Sequence, residues 1–153
     1  MDIRKSENAD LEKIEAIYNS SRPDEFYAER QSFSLTPWSE DDSIQSIIDK
    51  SEIYVSEIDV VIGFCGHLEK HIKWLFVSPE HRGKGVASHL LAFVLPIIGV
   101  GATLSVVQSN KRARNLYSKF GFTVKREFVV DYQSKDLAVC TLVWNGEVHA
   151  LYS

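Results

Sequence analysis

Apolar residues recur at helical spacing early in the chain. Leu11, Ile14, Ile17 and Tyr18 follow an acid at Asp10, which predicts a first helix opening there. The periodicity breaks from Ser20 to Ser39, where Pro23 and Pro37 stand among several aromatics. Ser39-Glu40-Asp41-Asp42 then supplies a helix start, with Ile44, Ile47 and Ile48 as its buried stripe. Three strand-like runs come in close succession, at Ile53 to Ile58, Val60 to Glu69 and Ile72 to Val77. A helix is predicted from about Lys84 to Leu95, a strand from Thr103 to Ser109 and a helix from Lys111 to Phe120. Strands at Phe122 to Tyr132 and Ala138 to Trp144 complete the pattern. The strand-helix-strand unit from Ile72 to Ser109 requires parallel strands, whereas short turns make the flanking strands antiparallel. The expected fold is α/β: a mixed, mostly antiparallel sheet of six to seven strands with helices on both faces. No repeat, linker or low-complexity segment interrupts it, so residues 1–153 are expected to form a single domain.

Composition narrows the class. At 153 residues and 44% hydrophobic, the chain carries enough apolar material for one full core. Cys65 and Cys140 sit inside apolar runs without C-x-x-C or Cys/His spacing, and read as buried reduced thiols with no metal role. The longest apolar run, near Leu90 to Val100, is broken by Pro96 and Gly99, so no membrane span is expected. The first residues show no hydrophobic signal region, which makes a cytoplasmic enzyme the default expectation.

The net charge of −4 hides an asymmetry. Residues 1–60 carry fifteen acids against six bases, and residues 61–153 carry six against eleven. A polyanionic ligand suits the second part and a cationic amine suits the first. Nucleic acid is disfavoured, since the chain is acidic and lacks interleaved basic and aromatic residues.

Candidate chemistry concentrates in Leu75-Phe76-Val77-Ser78-Pro79-Glu80-His81-Arg82-Gly83-Lys84-Gly85-Val86-Ala87. This reads as a strand, a turn, a glycine-rich bend and a first helical turn. Such a helix start offers unpaired N–H groups and a positive dipole end. Gly83 and Gly85 allow close approach to the main chain, and Arg82 and Lys84 add charge. A pyrophosphate is the obvious guest. The dinucleotide fingerprint fails because Ser88 stands where its third glycine belongs, and the P-loop fails because Val86 follows Gly85.

Arg82, Gly85 and Ala87 spell R-x-x-G-x-A, which resembles the acetyl-CoA-binding motif Q/R-x-x-G-x-G/A of the GNAT superfamily of N-acetyltransferases. A second block, Asn110 to Phe122, resembles that family's other recurrent segment: Asn110, Ala113, Leu116-Tyr117 and Gly121-Phe122 stand in the family's order. The resemblance spans roughly the C-terminal two-thirds of the chain. It implies that the two parallel strands splay apart around the pantetheine arm of acetyl-CoA. Main-chain groups at Phe76 and Val77 would then bind the arm, and N–H groups of Gly83, Gly85, Val86 and Ala87 the pyrophosphate. Arg82, Lys84, Arg112 and Ala113 belong to the same implied cofactor site. Asn110 has two compatible readings, a cofactor contact and a helix N-cap.

For catalysis the resemblance assigns Tyr117 as the acid that protonates the departing thiolate. It leaves the base open. Some members carry a Glu six residues before the position of Val77, where this chain has His71; His67, Glu69 and water are the alternatives. A histidine can act near neutral pH without much tuning. The acceptor amine is expected against the irregular Arg22–Ser39 segment, through Tyr27, Phe33 and Trp38 near Asp24, Glu25 and Glu29. The same aromatics suit plain packing. The acceptor is a small-molecule or protein amine, and a homodimer stays open. A non-catalytic acyl-CoA sensor or an interaction domain of the same fold is the alternative function.

Overall fold

A computed structural model of the protein describes residues 1–146. Seven strands form one sheet: β1 (Asp2–Lys5), β2 (Glu52–Ile58), β3 (Val60–Leu68), β4 (His71–Val77), β5 (Thr103–Val107), β6 (Phe122–Tyr132) and β7 (Lys135–Trp144). Their order is β1-β2-β3-β4-β5-β7-β6, and only β4 and β5 run parallel among the described residues. The helices are α1 (Leu11–Ser21), α2 (Asp42–Ile47), α3 (Val86–Ile98) and α4 (Lys111–Lys119). The expected mixed, mostly antiparallel sheet is thus present.

Strand alternation sends side chains to two cores. On one face Ile14, Ile17 and Tyr18 of α1 meet Trp38, Phe64, Trp74 and Phe76. On the other, Val86, Leu90, Leu91, Val94 and Leu95 of α3 pack on Ile62, Cys65 and Leu104, with Leu116 and Tyr117 of α4 beside them. Gly63 sets how closely α3 approaches: a Cβ there would lie 3.0 Å from Val86 Cγ1 and 3.1 Å from the Phe76 carbonyl oxygen. Pro96 lies inside α3, whose helix continues to Ile98 before ending at Gly99.

The register slips once where it matters most. Gly66 of β3 faces Trp74 of β4, but the next residue, His67, faces Ile72, so Lys73 is an extra residue in β4. This bulge reverses the alternation, which is why Ile72 joins the α3 core while Trp74 joins the α1 core. A bulge also bends its strand. β4 pairs with β5 only at His71↔Thr103 and Ile72↔Leu104, and beyond Lys73 the two strands part.

β1 escapes the hydrophobic pattern because Ile3 is its only large apolar residue. Charge ties it down. Arg4 Nη1 and Nη2 donate to Asp10 Oδ2 and Oδ1 at 2.8 and 2.9 Å, and Nη2 also donates to Glu57 Oε2 at 3.0 Å. The Glu7 N–H donates to Asp10 Oδ2 at 2.7 Å. Arg4 holds the buried Asp10 carboxyl below its ordinary range, against burial and with help from the Glu7 N–H. A depressed carboxyl stabilises the fold above its unfolded pKa and loses that contribution as pH falls. Asp10→Asn should therefore lower stability by about 2 kcal/mol at pH 7, with the gap to wild type closing below about pH 4. Thermal melts of both proteins across that range check it.

Candidate active site

The parting of β4 and β5 opens a cleft of about 470 Å³ that passes between them. Leu75, Phe76 and Val77 form one wall and Ser105, Val106 and Val107 the other, with no pairing across the gap. Main-chain groups on both strands are therefore left unpaired across the gap, where an added strand would find partners. The Ser21 hydroxyl donates to the Val77 carbonyl at 2.9 Å, leaving one of that oxygen's two lone pairs.

The glycine-rich bend adjoins one end of the cleft, at Val77, Arg82 and Ala87. Gly83 and Gly85 adopt left-handed φ of 76° and 79°, which disfavours side chains, and no atom lies within 4 Å of where a Cβ would stand on either. Gly85 caps α3, whose first intrahelical bond runs from the His89 N–H to the Gly85 carbonyl at 3.0 Å. The N–H groups of Val86, Ala87 and Ser88 are thus left without helical partners. They border a smaller hollow of about 220 Å³ with Arg82 and both glycines. Arg82 is held by the carboxylate of Asp24, on the turn that follows α1.

The start of α4 supplies the adjoining wall. The Asn110 side chain accepts from the Ala113 N–H at 3.3 Å, so the capping role is observed, and the same buried residue lines the cleft. Ala113, Leu116 and Tyr117 recur on the inner face of α4, with Phe120 fully buried behind them. Arg112 also lines the cleft and lays its guanidinium 4.2 Å from the centre of the Tyr27 ring. Lys84 is exposed beside the hollow.

Tyr117 packs edge-on against Phe122, with ring centres 5.6 Å apart, and its hydroxyl has no hydrogen-bond partner among the described residues. Burial pushes its phenol well above the ordinary tyrosine range, helped by the negative charge of Glu25 and then by Cys65. Tyr117 keeps its proton at any physiological pH. Burial also pushes the Cys65 thiol up to about 12, and Cys140 is buried with its Sγ 3.7 Å from the Val106 carbonyl. Neither cysteine is a thiolate nucleophile.

The other mouth is framed by the turn at Arg22–Phe26 and by the β6–β7 hairpin, through Val130, Tyr132 and Leu137. Phe33 stacks on Tyr132 at 5.3 Å and lies 5.1 Å from Phe26, forming the outer part of this wall. The segment is strapped to the hairpin tip: Gln31 Nε2 donates to the Asp136 carbonyl at 3.2 Å, and Gln133 Oε1 accepts from the Ser34 N–H at 2.9 Å. Tyr27 is exposed at the rim, under Arg112.

Two expected site residues lie elsewhere. Trp38 is fully buried between Tyr18, Phe64 and Trp74, and so belongs to the core. His71 sits at the closed end of β4, before the bulge, with Nδ1 2.8 Å from Thr103 Oγ1. About 13 Å of strand separates it from Leu75. Burial, then the charge of Lys73, lowers its pKa, so it is a neutral strut between two strands. His67 is buried too, stacked on Tyr54 with Nδ1 2.8 Å from the Glu69 carbonyl oxygen. Neither histidine lines the cleft. Two carboxylates do among the described residues, Asp24 and Glu25. The irregular, proline-containing stretch around them hid their position from periodicity.

Residues 49–124 match the family model described as "Acetyltransferase (GNAT) domain". The chain is 25% identical to the peptidyl-lysine N-acetyltransferase YjaB of Salmonella typhimurium, over 94% of this chain and 98% of that protein. Among solved structures, a GCN5-related N-acetyltransferase from Rhodopseudomonas palustris superposes with a TM-score of 0.78 at 19% identity, covering 94% of each chain. YncA of Salmonella typhimurium, solved with its cofactor acetyl-CoA, gives 0.74 at 20% identity, over 98% of this chain and 96% of that one. No group of histidine, cysteine or carboxylate side chains able to hold a metal occurs among the described residues. The bulge-driven cleft, the helix-capping glycine loop and the tyrosine on α4 therefore have a family to belong to: this chain is a member of the GNAT superfamily of acetyl-CoA-dependent N-acetyltransferases.

Proposed function

We propose that the protein moves an acetyl group from acetyl-CoA to a primary amine by direct attack, as one acetyltransferase domain over residues 1–153. The observation that carries this reading is the continuity of the cleft. It runs from Val77, Arg82 and Ala87, which it shares with the hollow at the start of α3, between β4 and β5, to Tyr117 and on to an acid-bearing aromatic mouth. In this reading the pyrophosphate rests on Gly83, Gly85, Val86 and Ala87, with Arg82 and Lys84 beside it and Arg112 at the rim. The pantetheine arm follows the edge of β4 around Phe76 and Val77, where the Val77 groups face the gap, past Asn110 and Ala113. The thioester then stops beside Tyr117.

The remaining chemistry is limited. A thioester is already activated, so the amine nitrogen attacks its carbonyl carbon, the C–S bond breaks and the sulfur takes the Tyr117 proton. Negative charge at Glu25 and aromatic faces at Phe26 and Tyr132 favour a cationic acceptor with an apolar stem. Tyr27 and Phe33 would extend that contact at the rim. A lysine side chain has this form, and peptidyl lysine is what the name of the Salmonella relative specifies. A thiol-release assay with acetyl-CoA and a panel of lysine peptides, N-terminal peptides and small amines tests the reading. Acetyl-CoA-dependent release that requires an amine is expected. Acetyl-CoA binding with no release for any amine would make the domain a sensor.

A further inference from the structure

We infer that Glu25, on the turn after α1, is the base that takes the proton from the acceptor ammonium. The inference rests on the acetyltransferase reading and names a residue for a step which that reading leaves without one.

Elimination comes first. A base has to reach the nitrogen beside the thioester, so it must line the cleft near Tyr117. His71 and His67 do not line it, for the reasons given above. Asp24 also lines it, but its ion pair is with Arg82 of the glycine bend, at the cofactor end, whereas the charge that acts on Tyr117 is that of Glu25. Glu25 remains. Its Oε2 accepts from Arg22 Nε at 2.8 Å, while its Oε1 has no partner among the described residues. One oxygen is thus anchored and the other is available.

Its surroundings suit the task. The Arg22 guanidinium is itself engaged, bonded to the Tyr18 hydroxyl and lying 5.7 Å from the centre of the Phe26 ring. Around this pair stand Asp24 and Arg82, Arg112 and Tyr117 on α4, and Tyr132 on the hairpin. Partial burial raises the carboxyl of Glu25, whose side chain stays 36% exposed, above its ordinary range, with Arg22 pulling the other way. A raised carboxylate is a better proton acceptor near neutral pH.

Glu25 and Tyr117 are also electrostatically linked, since the Glu25 charge helps to hold the Tyr117 proton in place. The order of proton movements follows. The ammonium gives one proton to Glu25, and the neutral amine attacks the thioester carbon. With Glu25 now uncharged, Tyr117 releases its proton to the departing sulfur more readily. The nitrogen's surplus proton then restores the phenol, and Glu25 returns its own to solvent. The products are the N-acetyl amine, the free thiol of CoA and one proton.

The test measures kcat, KM and acetyl-CoA affinity for wild type, Glu25→Gln and Glu25→Asp, with a lysine peptide, from pH 6 to 9.5. Glu25→Gln should bind acetyl-CoA as wild type does and lose about a hundredfold in kcat at pH 7. That deficit should narrow as pH climbs towards about 10.4, where the amine deprotonates unaided. Glu25→Asp should keep the wild-type pH profile at a lower rate. A Glu25→Gln enzyme with kcat within about threefold of wild type, or with a loss confined to KM, overturns the assignment while leaving the acetyltransferase reading intact. So does a Glu25→Asp enzyme that matches Glu25→Gln in both rate and pH profile. An inactive wild type would sink both together.

Discussion

Tyr117→Phe should leave acetyl-CoA affinity within about twofold of wild type while turnover falls about a hundredfold or more, the usual scale for a lost acid–base group. The substitution removes only the hydroxyl. The ring keeps its edge contact with Phe122, and no hydrogen bond among the described residues is broken. The expected rate defect is thus chemical and separable from folding. Two further readouts identify its origin. An acyl donor whose thiol is more acidic should shrink the defect, because its thiolate departs with less need of a proton. In the wild type, Tyr117 itself should impose no fall in rate below about pH 10, since burial raises its pKa and the neutral phenol is the working form. Undiminished turnover in the phenylalanine enzyme would assign proton delivery to water.

The second large effect is expected at the phosphate loop. Gly85→Asp should weaken acetyl-CoA binding about a hundredfold relative to Gly85→Ala. Both variants force a side chain into a left-handed conformation at φ 79°, so both lose some stability for the same reason. Only aspartate adds negative charge at the mouth of α3, where the pyrophosphate is expected. Juxtaposed like charges cost several kcal/mol, and a hundredfold in affinity corresponds to about 2.7 kcal/mol. Calorimetric titration of both variants isolates the charge from the strain. Equal affinities would place the pyrophosphate elsewhere.

The sequence disclosed those parts of the site that are contiguous. The glycine bend and the first turns of α3 and α4 present backbone and side chains within short runs, so their spacing carries their geometry. The splay did not show itself in the residues, because it depends on a bulge at Lys73 defined by pairing with β3. That same bulge explains the misplacement of His71. Counting back from Val77 gives no sign that the strand changes neighbours on the way. Trp38 was misplaced for a different reason: an aromatic in an irregular stretch has no periodicity to assign it to core or pocket. Glu25 was visible only as one acid among several until the cleft brought it beside Tyr117. β1, with Ile3 as its one large apolar residue, was missed outright, since ionic contacts through Arg4 do not register in a hydrophobic pattern.

The strap between the segment at 31–34 and the hairpin tip at 133–136 has a consequence for how such a protein diversifies. The two stretches that frame the proposed acceptor mouth are fastened to each other at their outer ends, some hundred residues apart in the chain. The elements that would cradle the cofactor lie between them in sequence. Paired changes in the two outer stretches could therefore recast which guest is admitted, while the inherited cofactor cradle stays as it is. Drift at either stretch alone would loosen both. A graft that exchanges residues 26–36 and 130–137 together, taken from one donor protein and leaving Asp24 on Arg82 and Glu25 in place, is thus a compact transplant expected to carry acceptor choice with it.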